Sequence, residues 1–103
     1  MTMQDFRKYQ NVRIITEEGT IANGDYILDD VIIRCKNGKL NDSTDENGEL
    51  LPAIETRDGN HLEHWKNGVL HCDNAPAVVD NIDNYEYWFL NGQEIKPKSE
   101  AEN

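Results

Sequence analysis

Three histidines and a cysteine lie close together in the second half of the chain, and imidazole and thiolate are the ligands that zinc prefers. These residues are His61, His64, His71 and Cys72. Their spacing opposes a shared site, because residues that are adjacent or three positions apart point to opposite faces of an extended strand. His71 also follows an Asn-Gly pair, where a hydrogen bond to the turn would account for it. We therefore predict no metal site and no bound cofactor.

Covalent catalysis would require an activated nucleophile, and the candidates are few. Cys35 or Cys72 could pair with a histidine, but no glycine-rich oxyanion loop and no orienting acid is recognisable. The only serines are Ser43, in an acidic loop, and Ser99, in the C-terminal tail. We therefore predict that the protein is not an enzyme and has no catalytic residues.

The acidic segment 41–49, NDSTDENGE, suggests a calcium loop because acidic residues alternate with polar ones. An EF-hand loop that begins at Asp42 needs glycine at its sixth place and glutamate at its twelfth. Asn47 and Ala53 stand at those places instead. We therefore predict a solvated loop.

The chain contains five Asn-Gly pairs, which indicate where its strands reverse direction. An Asn-Gly pair between strand-like residues is a strong hairpin signal, because both central residues of a type I′ turn need a positive φ. So many pairs in 103 residues are difficult to place in a helical protein. The pairs are Asn23-Gly24, Asn37-Gly38, Asn47-Gly48, Asn67-Gly68 and Asn91-Gly92.

The pattern repeats with a nearly constant period. Asn67 and Asn91 are separated by the same number of positions as Pro52 and Pro76. Trp65 and Trp88 are separated by one position fewer, and we expect them to occupy equivalent places and to stack toward a common core. A period of this size is typical of repeat proteins and leaves room for two or three short strands in each unit.

The segment 65–77, WKNGVLHCDNAPA, resembles the MORN-like variant repeat, which reads roughly aromatic-aromatic-x-Asn-Gly-Lys-x-His-Arg-x-Asp-Gly-Pro-Ala. The matching residues are Asn67, Gly68, His71, Pro76 and Ala77, and those that depart are Cys72 and Ala75. Residues 87–92 match the start of a second copy, and residues 37–53 fit a third copy with a six-residue insertion. The resemblance covers residues 31–95. The resemblance implies a small bacterial or phage protein. Some proteins of this family are antitoxin-like, and the family has no shared catalytic residues.

The charge of the chain indicates which partners it could bind. It carries 20 Asp and Glu against 10 Lys and Arg, a net charge of −10, and only four of the basic residues lie in 51–103. Phosphate contacts and anionic membranes both require cationic side chains, so we predict no direct nucleic-acid binding and no membrane binding. An acidic surface favours a basic protein partner. The alternative is that the acidity only keeps a small protein in solution.

The sequence also indicates a compartment. The chain has no apolar run long enough to form a membrane-spanning helix, and its first residues lack the basic start and apolar stretch of a signal peptide. Two cysteines are too few for a disulfide scaffold. We therefore expect a cytoplasmic protein with reduced thiols.

The predicted fold is all-β, with repeated antiparallel β-hairpins forming a meander-type sheet. We expect one domain over 1–95, in which 1–30 form an N-terminal cap or degenerate repeat and 31–95 form the repeats, followed by a disordered tail, 96–103. Thr20–Ala22 and Asp25–Leu28 are predicted to form the first hairpin. Further strands are predicted at Val12–Thr16, Val31–Lys36, Leu51–Thr56, His61–Lys66, Val69–His71, Ala77–Asp80, Tyr85–Leu90 and Gln93–Ile95.

Carboxylates and aromatic side chains supply the predicted partner-binding residues. The carboxylates are Asp42, Asp45, Glu46 and Glu49 of the acidic loop, with Asp80, Asp83 and Glu86 nearer the C-terminus. Period-two alternation places Tyr85, Tyr87 and Phe89 on one face of a strand. This aromatic face either covers a second layer of the core or forms a patch for a partner or a dimer.

Two functions from different classes fit these features. The first is a non-enzymatic acidic module that binds and blocks a basic, nucleic-acid-binding protein, as phage inhibitors of host defence (anti-CRISPR or anti-restriction proteins) and antitoxins do. The second is a structural repeat module that self-associates as a homodimer through exposed sheet edges.

Overall fold

The computed structural model describes residues 6–95, and nearly all of its regular structure is β. A 3₁₀ turn at Phe6–Tyr9 precedes twelve short strands. These are β1 (Gly24–Ile27), β2 (Val31–Lys36), β3 (Lys39–Leu40), β4 (Ser43–Thr44), β5 (Leu50–Leu51), β6 (Ile54–Thr56), β7 (His61–Glu63), β8 (Trp65–Lys66), β9 (Val69–Leu70), β10 (Val78–Asp80), β11 (Tyr85–Leu90) and β12 (Gln93–Ile95). The described residues contain no helix that is long and apolar enough to cross a membrane. The predicted tail, 96–103, lies outside the described part.

Seven strands form an open sheet in the order β1-β2-β6-β7-β10-β11-β12, and every neighbouring pair is antiparallel. β3 pairs with the far end of β2. The strand pairs β4–β5 and β8–β9 form separate two-stranded hairpins. The predicted all-β fold of antiparallel hairpins in a meander is therefore confirmed.

Three long strand segments organise the sheet: β2, β7 continued by β8, and β11. The first half of each segment pairs with neighbouring strands of the sheet, and the end of each segment forms a hairpin with β3, β9 or β12; β2 also pairs with β1 up to Cys35. β2 and β7 are both antiparallel to β6, and β7 and β11 are both antiparallel to β10. The three segments therefore run in the same direction. The turns that precede them gather at one end of the sheet, and their Asn-Gly turns gather at the other.

The Asn-Gly turns of the three long segments have the backbone that the sequence predicts. Asn37, Asn67 and Asn91 have φ values of 54°, 50° and 50°, and the glycine that follows each of them also has a positive φ. Positive φ at both central residues is the geometry of a type I′ turn, whose twist matches that of the flanking strands.

The first predicted hairpin is wrong. Gly24 begins β1, and the β1–β2 turn lies at 28–31, where the Leu28 amide donates to the Val31 carbonyl at 2.8 Å. The predicted strand Val12–Thr16 contributes only one bridge, between Ile15 and Ile21. The Asn23 side chain explains the difference, because its carbonyl accepts the Asn37 amide at 3.2 Å and so holds Asn23 against the next turn.

The three Asn-Gly turns at Asn37, Asn67 and Asn91 each dock on the hairpin before them through the same backbone contact. The glycine amide donates to a carbonyl one hairpin earlier in the chain, so the hairpins stack in a row. The three hydrogen bonds are Gly38 to Ala22 at 2.8 Å, Gly68 to Leu40 at 2.9 Å and Gly92 to Leu70 at 2.8 Å.

Residues 10–14 cross all three turns and form an N-terminal strap. The Asn11 amide donates to the Gly68 carbonyl at 2.7 Å, and the Ile14 amide donates to the Gly38 carbonyl at 2.7 Å. The Gln10 side chain serves the third turn, because its Nε2 donates to the Gly92 carbonyl at 3.3 Å. The strap therefore forms hydrogen bonds with all three Asn-Gly turns.

The core position of each repeat lies two residues before the asparagine of its turn. Cys35, Trp65 and Phe89 occupy this position and are 6%, 1% and 3% exposed. Trp88 is only half-buried. The expectation that Trp65 and Trp88 are equivalent is therefore wrong, because the spacing of the Asn-Gly turns makes Phe89 the counterpart of Trp65.

Candidate functional site

The three turns that precede the long strand segments lie side by side and form an acidic rim, which comprises residues 28–30, 57–60 and 81–84. The Arg57 amide donates to the Asp30 carbonyl at 2.9 Å, and the Asn81 amide donates to the Asn60 carbonyl at 2.7 Å. Strands two places apart in a sheet are about 10 Å apart, so the turns hold their carboxylates in a row. The exposed carboxylates of the rim are Asp29, Asp30, Asp58 and Asp83.

The opposite end of the sheet is basic. Lys36, Lys39 and Lys66 flank the Asn-Gly turns and are exposed, and none of the ion pairs between described residues includes a lysine. β2 separates the two ends and has six residues, which corresponds to about 17 Å of extended chain. Exposed charge is therefore unevenly distributed along the strands, although Arg57 lies within the acidic rim and Glu94 lies near the third Asn-Gly turn.

Sequence reasoning found only part of the rim. It selected Asp83, which is exposed, and Asp80, whose side chain is only 12% exposed. Asp80 Oδ1 accepts the amides of Ile82 at 2.9 Å and Asp83 at 2.7 Å, so it shapes the turn. The hydrogen bond from the Asp83 amide, followed by that from His61, lowers the pKa of Asp80. Sequence analysis missed the other rim carboxylates, although each of them stands in a turn just before a strand.

His61 lies between two carboxylates on the inner face of the sheet. Its Nδ1 is 2.8 Å from Asp80 Oδ2, and its Nε2 is 2.8 Å from Glu63 Oε2. Both ring nitrogens can donate only when the imidazole is protonated. The hydrogen bond to Glu63 and then that to Asp80 raise the pKa of His61 against the opposing effect of burial.

Glu63 connects His61 to the core. Its side chain is 10% exposed, and its second carboxylate oxygen, Oε1, accepts the Trp65 indole N–H at 2.9 Å. His61, Glu63 and Trp65 alternate along the strand segment, and Asp80 pairs directly with His61 across it. The alternation was visible in the sequence, but the cross-strand partner was not.

The aromatic face packs against this cluster. The Tyr85 ring meets the His61 ring edge to face at 6.4 Å and lies 5.2 Å from the Tyr87 ring. Burial raises the pKa of Tyr85 to about 12. Tyr85 and Tyr87 are half-buried against the core and Phe89 belongs to it, as the packing interpretation predicts. Glu86 is exposed, on the opposite face.

The carboxylates of the acidic loop differ in role: one is largely buried and accepts hydrogen bonds from the backbone of other segments, and the others are exposed. Asp42 is 12% exposed, and its Oδ1 accepts the amides of Ala53 at 2.7 Å and Trp65 at 2.9 Å. Its other oxygen is 2.8 Å from His64 Nδ1. Asp45 Oδ1 accepts two amides within the loop, at 2.8 and 2.9 Å. The predicted loop residues with exposed side chains are Asp45, Glu46 and Glu49.

The remaining histidine and the thiols serve the fold. The His71 Nδ1 accepts the Asn91 amide at 2.9 Å, which confirms the predicted hydrogen bond to a turn. Its proton therefore lies on Nε2, 3.0 Å from Asp73 Oδ1. Cys35 and Cys72 are free and buried, and burial raises the pKa of both thiols. Within 6–95, no group of three or more His, Cys, Asp or Glu residues is arranged to hold a metal ion.

Comparison with known proteins finds no family model, no curated protein and no solved structure that matches this chain. The resemblance to MORN-like variant repeats therefore stays a prediction.

Proposed function

We propose that this chain is a non-catalytic protein-binding module whose acidic rim engages a basic segment of a partner protein. The observation that carries the proposal is the uneven distribution of exposed charge along the long strand segments, with exposed carboxylates at one end and lysines at the other. Aligned carboxylates accelerate the encounter with a basic surface and select its orientation. A nucleic-acid-binding protein is the partner class that we propose, because a row of carboxylates can occupy a channel that otherwise holds phosphates.

Exposed apolar side chains at the rim support binding to a protein. Leu28 is 52% exposed and Ile82 is 67% exposed, and both lie among the rim carboxylates. Apolar contact with a partner stabilises a complex that charge alone would leave weak and sensitive to salt. Inhibitors of host defence carried by phages, and antitoxins, are the biological roles that we propose for such a module.

The internal roles of both thiols and of two of the three histidines support a non-catalytic module. The thiols of Cys35 and Cys72 are buried with raised pKa values, so they are protonated and shielded at neutral pH. Both nitrogens of His61 and of His71 are engaged within the fold.

The test compares neutralisation of two acidic surfaces. One variant carries Asp29→Asn, Asp30→Asn and Asp83→Asn at the rim, and the control carries Glu46→Gln, Glu49→Gln and Glu86→Gln elsewhere. Both remove three exposed charges. Each immobilised protein is presented with purified basic nucleic-acid-binding proteins and with a lysate of the native host, at low and high salt.

We expect the wild type to retain at least one basic protein at low salt and to compete with its nucleic acid. Because exposed charge pairs contribute roughly 0.2–1 kcal/mol each, the rim variant should bind about 10-fold more weakly and the control should bind normally. Equal binding by all three proteins, or retention that salt does not weaken, would contradict the proposal.

A further inference from the structure

β1 is an edge strand with backbone groups that face away from the sheet. The Leu28 amide donates to the Val31 carbonyl at 2.8 Å, and the Val31 amide donates to the Leu28 carbonyl at 3.4 Å, so these two residues form a hydrogen-bonded pair. Hydrogen-bonded pairs alternate with open pairs in an antiparallel ladder, so Tyr26 forms the next hydrogen-bonded pair with Ile33 of β2. The amides and carbonyls of Asp25 and Ile27 then point outward. No strand within 6–95 pairs with this side of β1.

An apolar cleft of about 440 Å³ lies beside this edge. Ile14 and Ile15 line one wall, and Tyr26, Leu28 and Ile33 line the other. Ile15 is 57% exposed and Leu28 is 52% exposed, so the cleft continues into exposed apolar surface. Exposed apolar surface of this kind marks a binding site more often than single exposed residues do. We call it the edge cleft.

Acidic side chains surround the edge cleft. Glu17 and Glu18 line its mouth, and no lysine or arginine lines it. Asp29 follows Leu28 directly, whereas Asp25 lies on the opposite face of β1 and is already paired with Arg34 Nε at 3.3 Å. The charge is therefore complementary to a ligand that combines apolar and cationic groups.

Building on the proposed function, we propose that an extended basic segment of the protein partner adds to β1 as a further strand. Its apolar side chains enter the edge cleft beside Tyr26, and lysine or arginine side chains at the mouth of the cleft face Glu17 and Glu18. An added strand presents alternate side chains to the two faces of the sheet. Backbone hydrogen bonds would supply affinity, and the cleft with its acidic mouth would supply specificity.

A second copy of this chain fits the edge less well. Two β1 strands paired antiparallel about Ile27 would place Asp25 of one copy opposite Asp29 of the other, in a chain whose net charge is −10. Like charges that face each other across a strand pair are destabilising.

The probe is a short synthetic peptide of alternating lysine and leucine, titrated into the full chain and followed by amide NMR shifts. We expect the largest shifts at Asp25 and Ile27, together with Ile14 on the far wall of the edge cleft. Substituting Glu17→Gln and Glu18→Gln should weaken binding about threefold to tenfold, the range expected from two exposed charge pairs. Peptides with glutamate in place of lysine, or alanine in place of leucine, should bind more weakly.

A proline substitution tests the backbone contact. Ile27→Pro removes an outward amide that the β1–β2 ladder does not use, and proline is tolerated on such an edge. Ile27→Ala is the matched control, because it removes the side chain but keeps the amide. We expect Ile27→Pro to abolish the shifts and Ile27→Ala to retain them. If Ile27→Pro fails to fold, a peptide methylated at alternate backbone nitrogens makes the same test from the ligand side.

Four outcomes would overturn the inference. If the shifts lie on the acidic rim outside β1, or if the peptide without backbone donors binds equally well, the proposed function stands and strand addition does not. If the β1 signals change with protein concentration in the absence of peptide, the occupant is a second copy. If the peptide causes no shift, the inference fails, and the lysate experiment decides separately on the proposed function.

Discussion

Substitution of Gly92 should disturb the N-terminal strap as well as the turn itself. Gly92 has φ = +86°, a region that costs a residue with a Cβ roughly 1–2 kcal/mol. A Cβ at this position would lie 3.0 Å from Gln10 Oε1 and 3.3 Å from the Cβ of Val69. Since Val69 belongs to a packed hairpin, we expect the Gln10 side chain to move.

The cost of moving Gln10 follows from its hydrogen bonds. Its Oε1 accepts the Leu70 amide at 2.8 Å, and its Nε2 donates to the Gly92 carbonyl at 3.3 Å. Two hydrogen bonds at roughly 0.5–1.5 kcal/mol each, added to the backbone cost, give about 2–5 kcal/mol for Gly92→Ala. Gly19 is a matched control, because its φ is +87° and a Cβ there would meet nothing within 4 Å. Gly19→Ala should therefore cost only about 1–2 kcal/mol.

Urea unfolding followed by tryptophan fluorescence would measure both variants. In a Gln10→Ala background, Gly92→Ala should reduce the free energy of unfolding by no more than Gly19→Ala does, because the Gln10 side chain that the new Cβ would displace is absent. Hydrogen exchange at the Leu70 amide should accelerate in Gly92→Ala and not in Gly19→Ala. Equal destabilisation by the two glycine variants would refute the account of the strap.

Two further predictions concern the buried charges. The raised pKa of His61 lies above its unfolded value near 6.5, so the stability that it contributes is complete below that pH and is lost as pH rises through the folded pKa. Urea unfolding measured below and above neutral pH should show that the free energy of unfolding falls as the pH rises. If a His61→Gln variant showed the same dependence on pH, the prediction would be wrong. Asp42→Ala should cost about 2–4 kcal/mol, because it leaves two backbone amides without an acceptor. Glu46→Ala should stay within about 0.5 kcal/mol, and similar unfolding midpoints for these two variants would show that Asp42 is not structural.

Local preference was enough to predict three of the hairpins. Asn37, Asn67 and Asn91 form the expected turns, because a positive φ at both central residues is a property of the dipeptide and its strand flanks. Asn23-Gly24 carries the same local signal and does not form a turn. There the amide of Asn23 bonds to the Tyr26 hydroxyl at 2.8 Å, and its side chain holds the next turn.

The candidate site was less predictable, because similar residues take different roles in the folded chain. Asp42 and Asp45 were grouped as loop carboxylates, but the fold buries the first under the amides of Ala53 and Trp65 and leaves the second exposed. Strand alternation placed Tyr85 and Phe89 on one face, and only packing decided that this face is the inner one.

Local sequence was sufficient for the reversals at Asn37, Asn67 and Asn91 and hence for the antiparallel meander, because the preference for a positive φ resides in the Asn-Gly pair and its flanking residues. Tertiary structure decided the strap, the acidic rim and the His61 cluster. Gln10 meets Gly92 across 82 positions, and His61 meets Asp80 across 19. Contacts over such separations depend on strand register and on the stacking of hairpins, and no local preference encodes them.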